Sequence, residues 1–298
     1  MFPKILATSI KRCSIAGPHG QLYLIDFNSN TFSKVFELDS KINTYGRGGE
    51  RGLRGIVFDK NTNRYFVAKH NSIIILDKNF LPIDEVFNNY FGDIHDLYLF
   101  ENILYVVSTA FNSIIAIDIN NNSFRFGLYF NFDKTFIFKN NASILKQDKS
   151  HVNNVFVNKS GIYVCGTKLD GVYKYLNGKT VKYASVPLGT HNAQPYNDLI
   201  LCNDTDHSKV IFCNLQGQIV KQVNKTVIDP EKMINCHKND RIVRQPFARG
   251  LSYSTSFLFG GSPPDMVSVY DINSFELIKE INMSFDITNA IYGVLALS

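Results

Sequence analysis

Apolar residues along this chain come in short runs, separated by Asn, Asp and Gly, and almost nowhere with the spacing that would draw one stripe along a helix. Val, Ile, Tyr and Phe dominate the runs, which therefore read as β-strands joined by tight turns. The clearest unit has four of them, here lettered A to D: residues 54–60, 64–70, 72–77 and 83–87. The unit recurs at 95–100, 103–109, 113–118 and 124–130, and again at 153–157, 161–167, 171–175 and 180–184. A fourth copy uses 196–203, 209–214 and 219–223, with an irregular strand A around Pro195, and a fifth uses 249–253, 256–261, 266–271 and 277–281.

The turn between strands C and D is the best ruler. Asp26, Asp77, Asp118 and Asp271 each close an apolar run, while Asn177-Gly178 and Gln216-Gly217 stand in the other two turns, where a positive φ suits Asn and Gly. Asp77 and Asp118 are 41 residues apart, the length of a four-stranded propeller blade. Longer intervals elsewhere predict insertions at about 131–150 and 225–244. Residues 4–10, 21–26 and 33–38 supply strands B, C and D of a sixth unit that lacks strand A, and residues 289–296 supply the missing strand. The pattern predicts an all-β, six-bladed β-propeller of four-stranded blades, WD40/YVTN-like, closed by a C-terminal strand that completes the N-terminal blade. It is expected to be a single domain over 1–298.

Composition narrows the class of partner. The net charge of +5 is spread thinly with no basic block, which argues against nucleic acid and against an anionic membrane surface. No apolar run approaches the roughly 20 residues of a membrane helix. Five cysteines (13, 165, 202, 213 and 236) form no Cys-x-x-Cys pair, so a zinc ribbon and a disulfide framework are both disfavoured and a cytoplasmic, reducing location is expected.

In a propeller the start of each strand A crowds around the central channel. Aligning the units there gives one residue per blade: Asn289, Arg54, His95, Asn153, Gln194 and Arg249, none of them apolar. His151 and His191 lie just upstream of strand A, with Asp96, Asn154 and Asn192 close by. Single polar residues here often do no more than serve loop backbones and channel water. The set says more, because Arg54 and Arg249 flank the blade of Asn289, and two guanidiniums at one mouth need an anion between them. That anion is either Asp96 or a ligand. His95, His151 and His191, helped by Gln194 or Asp96, also carry the expectation of a divalent metal, although the arginines oppose a dication. His19, His70, His207 and His237 read as surface residues, and Asn203–Asp206 as a B–C hairpin rather than a calcium loop. The run Gly46–Gly52 enters a strand and carries no Lys-Ser/Thr, so it is not a phosphate loop.

Five strings occur in order: His95-Asp96-Leu97, then Val107-Ser108-Thr109-x-Phe111, His151-Val152-Asn153-Asn154, His191-Asn192 and Ala248-Arg249-Gly250-Leu251. Over about residues 90–270 they resemble a bacterial family of hypothetical six-bladed β-propellers known as a domain of unknown function. The family pattern is His-Asp-Leu, Val-Asn-Thr-x-Phe, His-Leu-Asn-Gly, Pro-His-Ser and Pro-Arg-Gly-Leu. Here Asn154 replaces the Gly and Asn192 the Ser. The resemblance implies a propeller with a shared axial site and no established reaction. The broader class similar to gluconolactonases and strictosidine-synthase-like proteins uses an axial metal with an acidic ligand. No Glu starts a strand A here, which sets this chain apart from it.

The resulting expectation is an axial pocket for a small anionic ligand: an acidic sugar, a sugar phosphate or another carboxylated metabolite. Arg54 and Arg249 would hold the anion, while Asn153, Asn154, Asn192, Gln194 and Asn289 would read its hydroxyls. If the protein is a hydrolase or lyase, His95 with Asp96, or His151, or His191 would be the acid–base, since imidazole titrates near neutrality. The alternative is a non-catalytic propeller that senses a ligand or binds a protein through loops 131–150 and 225–244. Phe130, Phe132, Phe136 and Phe138 would supply the first loop's contact face unless they pack inward.

Overall fold

The computed structural model describes residues 1–12, 18–39, 52–131, 134–236 and 244–297. Its strands form six antiparallel sheets. Blade 1 runs Asn289–Leu297, Lys4–Lys11, Pro18–Asp26, Thr31–Asp39 from its first strand to its last. Blade 2 follows with Ile56–Asp59, Arg64–Ala68, Ser72–Leu76 and Pro82–Phe87. Blade 3 has Ile94–Phe100, Ile103–Ser108, Ser113–Asp118 and Ser123–Asn131, and blade 4 has Val152–Asn158, Gly161–Gly166, Gly171–Leu176 and Lys179–Ser185. Blade 5 has Thr190–Tyr196, Leu199–Asp204, Lys209–Cys213 and Ile219–Asn224, and blade 6 has Arg249–Tyr253, Phe257–Ser262, Met266–Asp271 and Leu277–Asn282. This is a six-bladed β-propeller in which the C-terminal strand completes the N-terminal blade, pairing Lys4 with Leu297 through Lys11 with Asn289.

Burial explains why the middle strands lack alternation. Ser72–Leu76 is buried at every position, because both faces of an inner blade strand are covered. The outer strands Pro82–Phe87 and Ile219–Asn224 are mostly exposed. The C–D turns work as the spacing predicts. Asp26, Asp77, Asp118 and Asp271 each accept from backbone N–H groups of the turn that follows. These amide donors hold the exposed Asp26 and Asp271 carboxyls below the ordinary range. In blade 4, Asn177 (φ 50°) and Gly178 (φ 79°) make the two-residue hairpin.

Two elements differ from expectation. Lys134–Phe138, within the predicted first insertion, is a fifth strand that pairs along Ser123–Asn131 and covers the outer edge of blade 3. The aromatic residues beside it face inward. Phe130 and Phe138 are buried, Phe136 stacks on Tyr129 at 5.0 Å, and the Phe138 ring lies where a Cβ on residue 127 would stand, which requires Gly127. Strand A of blade 5 is Thr190–Tyr196, so His191 stands at its start and Gln194 lies inside it, paired with Leu201. Phe132, Cys13, His237 and residues 46–51 of the glycine-rich run lie outside the described residues.

The chain divides into two compact units, one of Met1–Gly55, Thr205–Val210 and Lys221–Ser298, the other of Ile56–Asp204 and Ile211–Val220. The first has a core around Ile5, Ile25, Phe27, Phe259, Val269 and Ile291. The second has cores around Phe66, Ile75 and Ile94, around Val107, Ile114 and Val164, and around Cys165, Cys202 and Cys213. These three cysteines are buried free thiols, and Cys236 is an exposed one. Among the described residues no helix is long and apolar enough to cross a membrane.

Candidate functional site

The predicted site residues fall into both units. In the first, Arg54 and Arg249 come together over one ring: their guanidinium carbons lie 5.4 Å and 4.7 Å from the centre of Tyr292. Local backbone chemistry fixes this arrangement. Thr8 Oγ1 donates to the Arg54 carbonyl at 2.5 Å and accepts from Gly293 N at 2.8 Å. Between Ile291 and Gly293 the strand slips register against Thr8 and Ser9, and Tyr292 occupies that bulge. A side chain on Gly293 would meet the Arg54 carbonyl at 2.6 Å, so only glycine permits the approach. Arg249 sits beside a second bulge at Gly250, whose φ of 69° favours glycine.

Arg249 also lies 5.1 Å from Phe247, and Phe247 is faced by Arg12 at 5.4 Å and Arg244 at 4.3 Å. Arg249 Nε and Nη1 are shielded from solvent and bond to no acceptor among the described residues. Leaving a buried donor unsatisfied costs about 1–3 kcal/mol, so these two groups are primed for an acceptor. Arg244 contacts Asp206 at 3.5 Å on the exposed rim. Asp96, the acid considered as a counter-ion, belongs to the other unit and is engaged there. Asn289, expected to read ligand hydroxyls, instead donates through Nδ2 to Ser284 Oγ at 2.9 Å.

The second unit holds the histidines and amides. His95 Nδ1 lies 2.9 Å from the Asp93 carbonyl and 2.9 Å from Thr109 Oγ1, while Thr109 Oγ1 donates to the Val152 carbonyl. A carbonyl only accepts, so Nδ1 carries the proton and Nε2 is the basic nitrogen of the neutral ring. His191 repeats the device, with Nδ1 3.0 Å from the Gly189 carbonyl. His151 Nδ1 is 2.6 Å from an Asp148 carboxylate oxygen, and its ring meets His95 edge to face at 5.0 Å.

Asp96 does not pair with His95. Its carboxylate accepts from Asn154 Nδ2 at 2.9 Å and from Leu97 N at 2.9 Å. Desolvation raises the Asp96 carboxyl to about 7 against the lowering effect of those donors. Asn153 Nδ2 donates to the Thr190 carbonyl, whereas Asn153 Oδ1 and Asn154 Oδ1 are shielded from solvent and bond to no donor among the described residues. Asn203 Nδ2 donates to Asn192 Oδ1 at 3.0 Å.

The metal expectation finds no support among the described residues. Among the described residues no three His, Cys, Asp or Glu side chains gather as a ligand set. His95, His151 and His191 each have Nδ1 bonded to an oxygen of their own loop, an arrangement equally usual for a histidine that ligates through Nε2, and Asp96 accepts from Asn154. Sequence reasoning missed Tyr292, Phe247, Arg12 and Arg244. The only signal was proximity, since Phe247 and Arg244 lie in the segment leading to Arg249, and Tyr292 follows Asn289 in the closing strand.

The fold thus defines the class, a six-bladed β-propeller with arginine and histidine groups at the starts of its first strands. Solved structures agree at the level of fold. The chain is similar to one in a nidogen/laminin complex, with TM-score 0.64 and 10% identity over 99% of each chain. It is also similar to a protein of unknown function from Bacteroides caccae, with TM-score 0.62 and 11% identity over 98% of each chain. A streptogramin B lyase matches with TM-score 0.52 and 10% identity, over 79% of this chain and 84% of that one. No protein-family model matches the sequence, and neither does any curated protein. The His-Asp-Leu and Arg-Gly-Leu resemblance therefore extends as far as a shared propeller architecture with a bacterial protein of unknown function.

Proposed function

We propose that this propeller binds a small anionic metabolite on the Arg54–Arg249 pair. The observation that carries the reading is Arg249, with two shielded guanidinium donors bonded to no acceptor among the described residues, beside a second guanidinium over the same Tyr292 ring. A carboxylate or phosphoryl group would accept from both arginines in charge-assisted, bidentate fashion, and Tyr292 and Phe247 would fix the planes of the forks. Titration calorimetry with glucuronate, glucose 6-phosphate and inorganic phosphate tests this. At least one should bind, and Arg249→Ala should weaken it by about 2–5 kcal/mol. Absence of binding by all three, or binding indifferent to Arg54→Ala and Arg249→Ala, overturns the reading.

A second reading, hydrolase or lyase chemistry, is favoured by Asp96, a partly exposed carboxyl raised to about 7, which suits proton transfer at neutral pH. It predicts turnover at the histidines and amides of the second unit, which Asp96→Asn abolishes. A protein-binding role finds support in the nidogen/laminin neighbour, but the aromatic residues described around the first insertion are spent on packing.

A further inference from the structure

We infer that the second unit binds a primary ammonium group, the head of a small amine, between the Asp96 carboxylate and the side-chain carbonyl of Asn154, independently of the anion reading, which concerns the other unit. Both residues sit at register slips in the first strands of blades 3 and 4. Asp96 lies in the slip between Ile94 and Leu97, and Asn154 ends the slip that begins at Val152. The bond from Asn154 Nδ2 to Asp96 Oδ2, at 2.9 Å, joins the two slips. Because Oδ1 belongs to the same planar amide, that bond also fixes Asn154 Oδ1 within a few ångströms of the carboxylate.

The groups left over at this junction are acceptors. Asn154 Oδ1 is shielded and bonds to no donor among the described residues, and the same holds for Asn153 Oδ1, one residue back. Asp96 accepts from Asn154 and Leu97, and these two donors alone lower a carboxyl that desolvation raises to about 7. Asp93, 3.8 Å from His95 Nδ1, and Asp148, 2.6 Å from His151 Nδ1, add negative charge around the junction, against Lys168 at 3.9 Å from Asp148. A neutral polyol would satisfy the amide oxygen and leave the Asp96 carboxylate without a counter-charge. A primary ammonium does both, with N–H donors for Asn154 Oδ1 and Asp96 and a positive charge beside the carboxylate. Asp96 is partly exposed, which gives such a group its way in.

The test is an NMR titration of the whole protein at about pH 8, above the Asp96 midpoint, following the side-chain amide signals of Asn153 and Asn154. The probes are ethanolamine, ethylene glycol, tetramethylammonium and calcium chloride. Ethanolamine should shift the Asn154 signals and bind at least roughly tenfold more tightly than ethylene glycol, which lacks the charge, or tetramethylammonium, which lacks N–H donors. Asp96→Asn should weaken ethanolamine by roughly tenfold or more, and Asn154→Leu, read by titration calorimetry, gives a second measure if the first variant does not fold. Ethylene glycol binding as tight as ethanolamine marks a hydroxyl site and overturns the ammonium assignment. Equally tight tetramethylammonium overturns the hydrogen-bonded geometry. Calcium that shifts the same signals at lower concentration than ethanolamine makes this a metal site and overturns the inference. So does ethanolamine that shifts nothing, or binds with indifference to both variants. None of these results bears on the Arg54–Arg249 pair, which belongs to the first unit.

Discussion

The two units meet the same structural problem with opposite chemistry. Each places polar residues at or just before the start of an innermost strand. The second unit uses imidazoles and amides, and pins each imidazole by Nδ1 to an oxygen of its own loop. The first unit uses Arg54 and Arg249, which stay charged at every accessible pH, and surrounds them with aromatic faces. Rings soften the cost of desolvation but do not neutralise charge. Imidazoles pinned to loop oxygens and guanidiniums set against aromatic faces therefore stand in one fold.

The largest expected effect is on the fold that carries both sets. Removing residues 289–297 bares Lys4–Lys11 and deletes Tyr292, so cooperative unfolding should be lost in calorimetry. A truncated protein that melts like the intact one contradicts closure by this strand.

Acid–base behaviour should separate the units next. Burial raises Asp265 in the first unit and desolvation raises Asp96 in the second, each to about 7, while burial lowers Lys225 in the first unit to about 7. Between about pH 4 and 7 the folded protein holds protons on Asp96 and Asp265 that the unfolded chain has released, so stability falls as pH rises. Between about 7 and 10.5 the unfolded chain holds the Lys225 proton that the folded state lacks, so stability rises again. These groups together place a stability minimum near neutrality. Asp265→Asn should flatten the acid limb by a few kcal/mol, Asp96→Asn by less because that carboxyl is partly exposed, and Lys225→Met should flatten the alkaline limb. A monotonic curve through pH 7 in denaturant titrations would contradict this.

Smaller changes sharpen the contrast. Asn154→Ala removes a donor that holds Asp96 down, so the Asp96 midpoint should move above 7 by NMR titration at a stability cost of about 1 kcal/mol, with anion binding in the other unit untouched. Smallest of all, Gly178→Ala meets no atom within 4 Å and strains only a φ of 79°, so it should cost about 1–2 kcal/mol without affecting either set.

The repeat, the Asp-closed turns and the split blade were legible because each is written in local chemistry: β-branched runs, Asx geometry and a missing strand. The site was legible only in part. Arg54 and Arg249 stand out by type, but their meeting depends on a register slip at Tyr292 that no spacing rule reveals. Gln194 was misplaced because Pro195 looked like a break, whereas it lies within Thr190–Tyr196 and the turn follows at Asn197. Asp96 next to His95 suggested a pair, yet the two fall in a bulge of their strand and Asp96 accepts from Asn154, more than fifty residues on.

Thr8, by joining the Arg54 carbonyl to Gly293, ties the arginine pair to the order of synthesis. Arg54 leaves the ribosome more than two hundred residues before Tyr292, which at ordinary elongation rates is an interval of roughly ten to fifty seconds. For most of that interval the nascent chain carries Arg54 alone, and Arg249 follows only 43 residues before the ring and the strand that organise the pair. The meeting of Arg54 and Arg249 over Tyr292 is thus a property that only a translated and closed chain acquires.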